Sequence, residues 1–251
     1  MNNLALSQNL FKFNEGISFL DEFVHLSSRV SELANEVGIQ ITPFRNSNLP
    51  HFSRKSEEEK SRVIWDLRNY VTVCEKVQDD GGDLKDPVTV TWMAIKEMGM
   101  RPPSDLFSHI TADNVIEFHN QDGIQIFRNF HFYQYCSYSL EELYCFPWST
   151  LYSRNEEALN SLLRIFGSFY CGEMKTGVRT GIAPHIIEEI YSPFKYKIYA
   201  SQDYAAPLFD LTGRPIASII VETGRLVNAP LSPEEEERIL LNHQSYFDFQ
   251  L

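Results

Sequence analysis

The chain has 251 residues, 43% of them hydrophobic and 13% aromatic, and its formal net charge is −12. This length and composition are typical of one large or two small globular domains, and they argue against disorder. The acidic charge disfavours nucleic-acid binding, and no apolar run is long enough to predict a transmembrane helix.

The N-terminus and the cysteines bear on the compartment. The first residues, MNNLALSQNL, show neither a basic start nor a long apolar stretch, so no signal peptide is expected. The four cysteines lack the CxxC spacing of a metal or redox motif; they are Cys74, Cys136, Cys145 and Cys171. We therefore expect reduced thiols and a cytoplasmic location.

Helical patterns occupy the N-terminal part of the chain. Apolar residues recur at near-helical spacing over 8–37. Ser56 and Glu59 form a capping box that predicts a second helix ending before Asp79, and a third helix is expected over Pro87–Met100. The prolines that follow stop it, so we predict a helical region over 1–104.

The clearest strand signal is a hairpin. Two apolar runs, Val115–His119 and Ile124–Phe127, flank Asn120–Gly123. An Asp-Gly turn between strands is typical of a β-hairpin, because glycine adopts positive φ readily. Alternation along the second run assigns Gln125 and Phe127 to one face of the strand.

The rest of the chain predicts short helices, a longer helix and a second group of strands. Ser139–Glu142 is another capping box, and an apolar stripe predicts a helix over Ser153–Phe169. The glycine-rich segment Gly172–Pro184 is expected to be a flexible connector. Strands are predicted over 185–191, 196–209 and 214–222, with a turn at Asp210–Gly213. A terminal helix is predicted from Ser232.

This order of elements resembles the PAS domain, a sensory α+β fold. The residues that carry the resemblance are Asp122-Gly123, Asn129, the Tyr138–Leu143 run and the closing Pro207–Ile216 segment. Ser137 stands where the family usually has glycine. The resemblance implies a five-stranded antiparallel sheet with helices covering one side. It also implies a sensor domain over 105–228, followed by a C-terminal helix and tail over 229–251.

The same resemblance implies a pocket between the curved sheet and the helices. Its expected lining is aromatic: Phe127, Tyr135, Trp148, Phe166, Tyr199 and Phe209. These rings either surround a ligand or fill the space themselves, and the sequence leaves both open. Asn129 is interpreted first as a cap of the following helix and second as an amide that faces the ligand.

No catalytic or metal motif is recognisable. His109, His119 and His131 lie close in sequence, but His119 sits beside a turn and is expected to face solvent. A PAS haem site implies a histidine on the long helix, and a photosensory flavin site implies an Asn-Cys-Arg-Phe-Leu motif. The sequence has neither, so haem and photosensory flavin are disfavoured and any cofactor stays unidentified.

The resulting hypothesis is a non-enzymatic cytoplasmic signalling protein that senses a small ligand or docks a protein partner. Dimerisation is expected through apolar helix faces such as 10–30, or through the outer face of the sheet. The alternatives are a ligand-free structural scaffold, or an enzyme or accessory subunit that uses the same pocket. The scattered ionisable candidates for an enzyme are Glu117, His119, His131 and His185.

Overall fold

The computed structural model describes residues 18–227. The predicted helical turns at 8–17 and the predicted helix from Ser232 lie outside the described residues. The α-helices are α1 (Phe19–Glu36), α2 (Pro50–Ser53), α3 (Glu57–Asp79), α4 (Pro87–Glu97), α5 (Leu140–Cys145), α6 (Trp148–Leu151) and α7 (Glu156–Tyr170). The 3-10 helices are Leu106–His109 and Phe130–Gln134. The strands are β1 (Val115–His119), β2 (Gln125–Arg128), β3 (Tyr152–Ser153), β4 (Val178–Arg179), β5 (His185–Glu189), β6 (Lys197–Phe209) and β7 (Pro215–Leu226).

The helix starts follow from local capping chemistry. Ser56 and Glu59 form the predicted capping box in both directions at the start of α3. Ser139 and Glu142 do the same for α5. Asp86 accepts hydrogen bonds from the Val88 and Thr89 amides, and Pro87 occupies the first position of α4. The predicted helix starts at Ser56, Pro87 and Ser139 are therefore confirmed.

The strands form one curled antiparallel sheet in the order β2-β1-β7-β6-β5-β3, and β4 pairs with β6. The opening and closing hairpins lie side by side, because β1 pairs with β7 over its whole length. The prediction of five strands is too low. The additional strands, β3 and β4, have two residues each, and β4 lies inside the segment predicted to be a flexible connector.

A register shift in the first hairpin changes which side chains share a face. Phe118 pairs with Phe127, but His119 pairs with Gln125, so Ile126 is an extra residue on β2. Such a bulge interrupts the two-residue alternation of a strand. Gln125 therefore faces the cavity described below, whereas Phe127 contacts Phe118 and the α3 side chain Tyr70. The prediction that Gln125 and Phe127 share a face is wrong for this reason.

Helices cover both faces of the sheet, not one as predicted. On one face, the Tyr70 ring of α3 lies 5.3 Å from the Phe127 ring, within a core that the helical region and the sheet share. On the other face, Leu162, Phe166 and Phe169 of α7 pack with Trp148, Ala205 and Ile220. Between residues 18 and 227 the longest apolar stretches fall short of what a helix needs to cross a membrane.

Candidate functional site: a polar cavity under α7

A cavity of about 50 Å³ lies between α7 and the sheet. On the scale of about 10–15 Å³ for each water molecule, it holds a few water-sized groups. The apolar lining residues are Val115, Phe132, Tyr135, Trp148, Tyr152, Leu162, Phe166, Ile187, Ile198, Ile220 and Gly224. The polar lining residues are Glu117, His119, Gln125, Arg154, Gln202 and Glu222. Tyr135, Arg154, Glu222 and Gly224 are partly exposed, whereas the other lining residues are buried.

Strand pairing brings the two glutamates of the cavity together. Glu117 on β1 is paired with Ile220 on β7, and Val115 is paired with Glu222. Residues two apart on a strand share a face, so Glu117 and Glu222 are diagonal neighbours within reach of each other. Each carboxyl group is close enough to the other to change its pKa.

The two carboxyl groups together keep one proton at pH values at which an isolated glutamate has lost its proton. Burial, followed by repulsion from Glu117, raises the pKa of Glu222 to about 8. Burial also raises the pKa of Glu117. Since two adjacent carboxylates repel each other strongly when desolvated, the pair holds one proton and one negative charge near neutral pH.

Two glutamine amides hold the carboxyl groups. Gln125 Nε2 donates to Glu117 Oε2, and Gln202 Nε2 donates to Glu222 Oε2 at 3.2 Å. Each amide therefore turns its oxygen away from the carboxyl group that it binds. Neither Gln125 Oε1 nor Gln202 Oε1 has a hydrogen-bond partner among residues 18–227, although both atoms are buried.

His119 adds a neutral imidazole to the same cluster. Burial lowers the pKa of His119 to about 3, so the ring carries no charge at neutral pH. Its Nε2 lies 3.2 Å from Glu117 Oε2, but neither ring nitrogen makes a hydrogen bond of good geometry within the described residues. The earlier expectation that His119 faces solvent is wrong, because α7 covers this face and leaves His119 only 4% exposed.

Arg154 supplies the positive charge. It precedes α7, whose start is capped by the side chain of Asn155. The guanidinium lies 4.6 Å from the centre of the Trp148 ring, within the range of a cation–π contact. Burial lowers the pKa of Arg154, which still stays far above neutral pH. Its Nε and Nη1 atoms are buried and have no hydrogen-bond partner in the described part of the chain.

Three of the predicted pocket residues do line this cavity: Tyr135, Trp148 and Phe166. The other aromatic residues lie elsewhere. Phe127 packs against α3 on the opposite face of the sheet. Tyr199 is 39% exposed and contacts Arg225 through its ring. Phe209 lies at the far end of β6, where its backbone bonds to that of Arg101.

Asn129 has a structural role that differs from both predicted ones. It occupies the cap position of the 3-10 helix that begins at Phe130, but its side chain makes no capping bond there. Its amide oxygen instead accepts from the Ile116 N–H at 3.1 Å, and its amide nitrogen donates to the Asn114 carbonyl at 2.8 Å. Asn129 therefore ties the end of β2 to β1.

The remaining ionisable candidates divide between the cavity and other places. Glu117 and His119 line it, whereas His131 Nδ1 lies 3.3 Å from the Asn114 carbonyl and His185 Nδ1 lies 3.1 Å from the Ala183 carbonyl.

Sequence reasoning missed Gln125, Arg154, Gln202 and Glu222. The sequence contains one signal for Glu222, because this glutamate follows the apolar residues of the last predicted strand. Among residues 18–227, no three histidine, cysteine or carboxylate groups are arranged to hold a metal ion.

Comparison with known proteins adds no relative, since neither a protein-family model nor a curated protein matches the chain. The fold and the cavity therefore define its class. The protein has an α+β fold with a curled antiparallel sheet, flanking helices on both faces, and a partly apolar cavity that contains buried charged groups.

Proposed function

We propose that this chain is a non-enzymatic regulatory protein that binds a small molecule in the cavity under α7. The observation that carries the proposal is a set of buried polar atoms around one cavity, on Gln125, Gln202, His119 and Arg154, without partners in residues 18–227. An unsatisfied buried polar group costs about 1–3 kcal/mol, so a site that gathers several of them is suited to a polar ligand.

A PAS-like sensor domain is the form of regulatory protein that we propose. Support comes from the adjacent opening and closing hairpins and from a long helix packed across one face of their sheet. The local features behind the resemblance also have structural roles. Gly123 and Gly213 take positive φ in the two hairpin turns. Ser137, which departs from the family pattern, donates from its backbone N–H and its hydroxyl to the carboxylate of Glu189.

The proposed mechanism is a shift in the population of α7 positions. Leu162 and Phe166 form the helical wall of the cavity, and Leu163 on the neighbouring face is 50% exposed. A ligand that contacts both α7 and the strands stabilises one position of the helix relative to the others. A protein partner or a second copy of the chain would bind preferentially to the protein with α7 in that position. A cytoplasmic location accords with four free cysteines, three of them buried.

Adjacent isoleucines on β5 provide a matched test of the cavity. Ile187 lines the cavity, whereas Ile186 is 42% exposed on the other side of the strand. We expect native mass spectrometry and a thermal-shift screen with small polar molecules to identify ligands that bind the unmodified protein. The Ile187→Phe variant should lose them, because the larger ring fills the cavity, and Ile186→Phe should retain them. Equal ligand binding by the two variants would contradict a site in this cavity.

An enzyme is the second candidate function. The observation in its favour is the carboxyl pair itself, because adjacent carboxyl groups in different protonation states can act as general acid and general base. Turnover of a substrate that is lost in Glu117→Gln and retained in Glu188→Gln would favour the enzyme over the regulatory protein. Glu188 is a suitable control because it pairs with Lys197 at 3.2 Å, away from the cavity.

A further inference from the structure

The charges that face the cavity do not balance once both glutamates are ionised. Glu117 and Glu222 then contribute −2, Arg154 contributes +1 and His119 is neutral, which leaves a net charge of −1. Arg128 adds a further positive charge that acts on Glu117 from outside the lining, where its guanidinium lies over the Phe132 and Tyr144 rings, at 5.6 and 4.7 Å. One proton on the carboxyl pair makes the residues that line the cavity neutral as a set. A bound monocation would make this set neutral in the same way.

Hydrogen-bond acceptors outnumber donors among the polar atoms of the residues that line the cavity. Gln125 is 1% exposed and Gln202 is 4% exposed, and each donates its amide N–H to a glutamate while its oxygen stays without a partner in residues 18–227. The glutamate oxygens are acceptors as well. The donors without a partner among residues 18–227 are the Arg154 Nε and Nη1 groups and one nitrogen of His119. A ligand that satisfies most of these acceptors must itself carry several N–H donors.

The size and the walls of the cavity restrict the ligand further. A volume of about 50 Å³ accommodates on the order of four water-sized groups. The Phe166 ring forms part of the wall, and aromatic faces attract cations, whereas the Trp148 ring already makes a cation–π contact with Arg154. These features exclude large cofactors and favour a compact cation.

We propose that the cavity binds a small organic cation with several N–H donors, of the amidine or primary-amine type, held by Glu117, Glu222 and the two glutamine oxygens. The inference rests on the proposed function, since it assigns a ligand class to the same cavity. Both glutamates are ionised in the complex. Binding therefore transfers the proton held by the carboxyl pair to solvent, and about one proton leaves for each cation that enters.

Three molecules of the same shape separate charge from fit. Acetamidinium, acetamide and acetate have nearly equal size, and they are respectively cationic, neutral and anionic. We expect isothermal titration calorimetry near neutral pH to show acetamidinium binding at least about tenfold more tightly than acetamide, with acetate weakest. Titration in buffers of different ionisation enthalpy should show release of about one proton. Affinity for acetamidinium should rise between about pH 6 and 8, as the pair loses its proton more readily.

The pH dependence is assigned to the glutamates because their charged neighbours keep their state over this range. His119 stays neutral, and Arg154 and Arg128 stay cationic. The phenol of Tyr152 stays protonated because burial raises its pKa well above its usual range.

A matched pair of variants tests the carboxyl group directly. Glu222→Gln should weaken acetamidinium binding about tenfold or more and abolish proton release, because the neutral amide cannot ionise. Glu157→Gln makes the same change at an exposed position of α7 and should leave both unchanged. Thermal unfolding of each variant verifies that it is folded.

Several outcomes would overturn the proposal that the ligand is a cation. Tightest binding of acetate, equal binding of all three molecules, or no binding by any of them would each do so. In the first two cases the cavity still binds small molecules, so the proposed function survives without the cation. The proposed function fails separately, if the broad ligand screen yields nothing that distinguishes Ile187→Phe from Ile186→Phe.

Discussion

Replacing Glu222 with glutamine should flatten the pH dependence of stability. In the native protein, the pKa of Glu222 is raised to about 8, whereas an unfolded glutamate titrates near 4.3. Between these values the native state holds a proton that the unfolded state has released. Raising the pH therefore favours unfolding, by up to about 1.4 kcal/mol for each pH unit. The contribution of the protonated Glu222 carboxyl to the free energy of unfolding is fully present below about pH 4 and is lost as the pH rises through 8.

The magnitude follows from those two pKa values. From pH 6 to pH 8 this carboxyl alone should lower the free energy of unfolding by about 2 kcal/mol, since the native group is half ionised at the upper limit. Burial raises the pKa of Asp66 to about 8 and that of Glu141 to about 7, so these groups contribute their own slope. Their contribution is common to the native protein and the variant. The difference between the two slopes therefore reports on the Glu117–Glu222 pair rather than on these other groups.

Urea unfolding followed by circular dichroism at several pH values measures this difference. We expect the native protein to lose about 2 kcal/mol more than Glu222→Gln over the interval. The Glu157→Gln variant, which removes an exposed carboxylate, should follow the native slope. Coincident slopes for the native protein and Glu222→Gln would refute the argument, because the Glu222 carboxyl would then titrate as it does in the unfolded chain.

Two further predictions concern packing, and both are measured by thermal or urea unfolding. Gly167→Ala should stabilise the protein by about 0.5–1 kcal/mol, because the position is an exposed helical site with open space around it. Gly177→Ala should destabilise the protein by about 1–3 kcal/mol, because the added methyl would overlap the Tyr204 ring. A loss of stability in Gly167→Ala, or none in Gly177→Ala, would contradict these placements. Phe127→Ala should cost about 3–5 kcal/mol as a core cavity, while Tyr199→Ala should change stability by no more than about 0.5 kcal/mol. Similar costs for the two would mean that the buried and exposed faces are assigned incorrectly.

Local chemistry made much of the fold predictable. The capping boxes at Ser56 and Ser139 and the hairpin turns at Gly123 and Gly213 depend on residues within four positions of one another, and all are present. The two-residue strands β3 and β4 were not predictable in the same way. Strands this short show no alternation, and they exist only because β5 and β6 offer partners far along the chain.

The site was less predictable because it is assembled by long-range pairing. Glu117 was recognised as ionisable, but its partner Glu222 is brought beside it only by the pairing of β1 with β7. The face on which each aromatic residue lies was also undetermined. Helices cover both faces of the sheet, so an apolar residue such as Phe127 is buried on either side. The bulge at Ile126 then reverses the face expected for one of the two alternating residues.

The most direct test of the buried carboxyl pair is a carbon-13 NMR titration of the Glu222 side-chain carboxyl, assigned by its loss in Glu222→Gln. The structure predicts a midpoint near pH 8 for the free protein and a lower midpoint in the presence of acetamidinium. A midpoint near the ordinary glutamate value of about 4.3, unchanged by the cation, would contradict both the buried carboxyl pair and the ligand class assigned to its cavity.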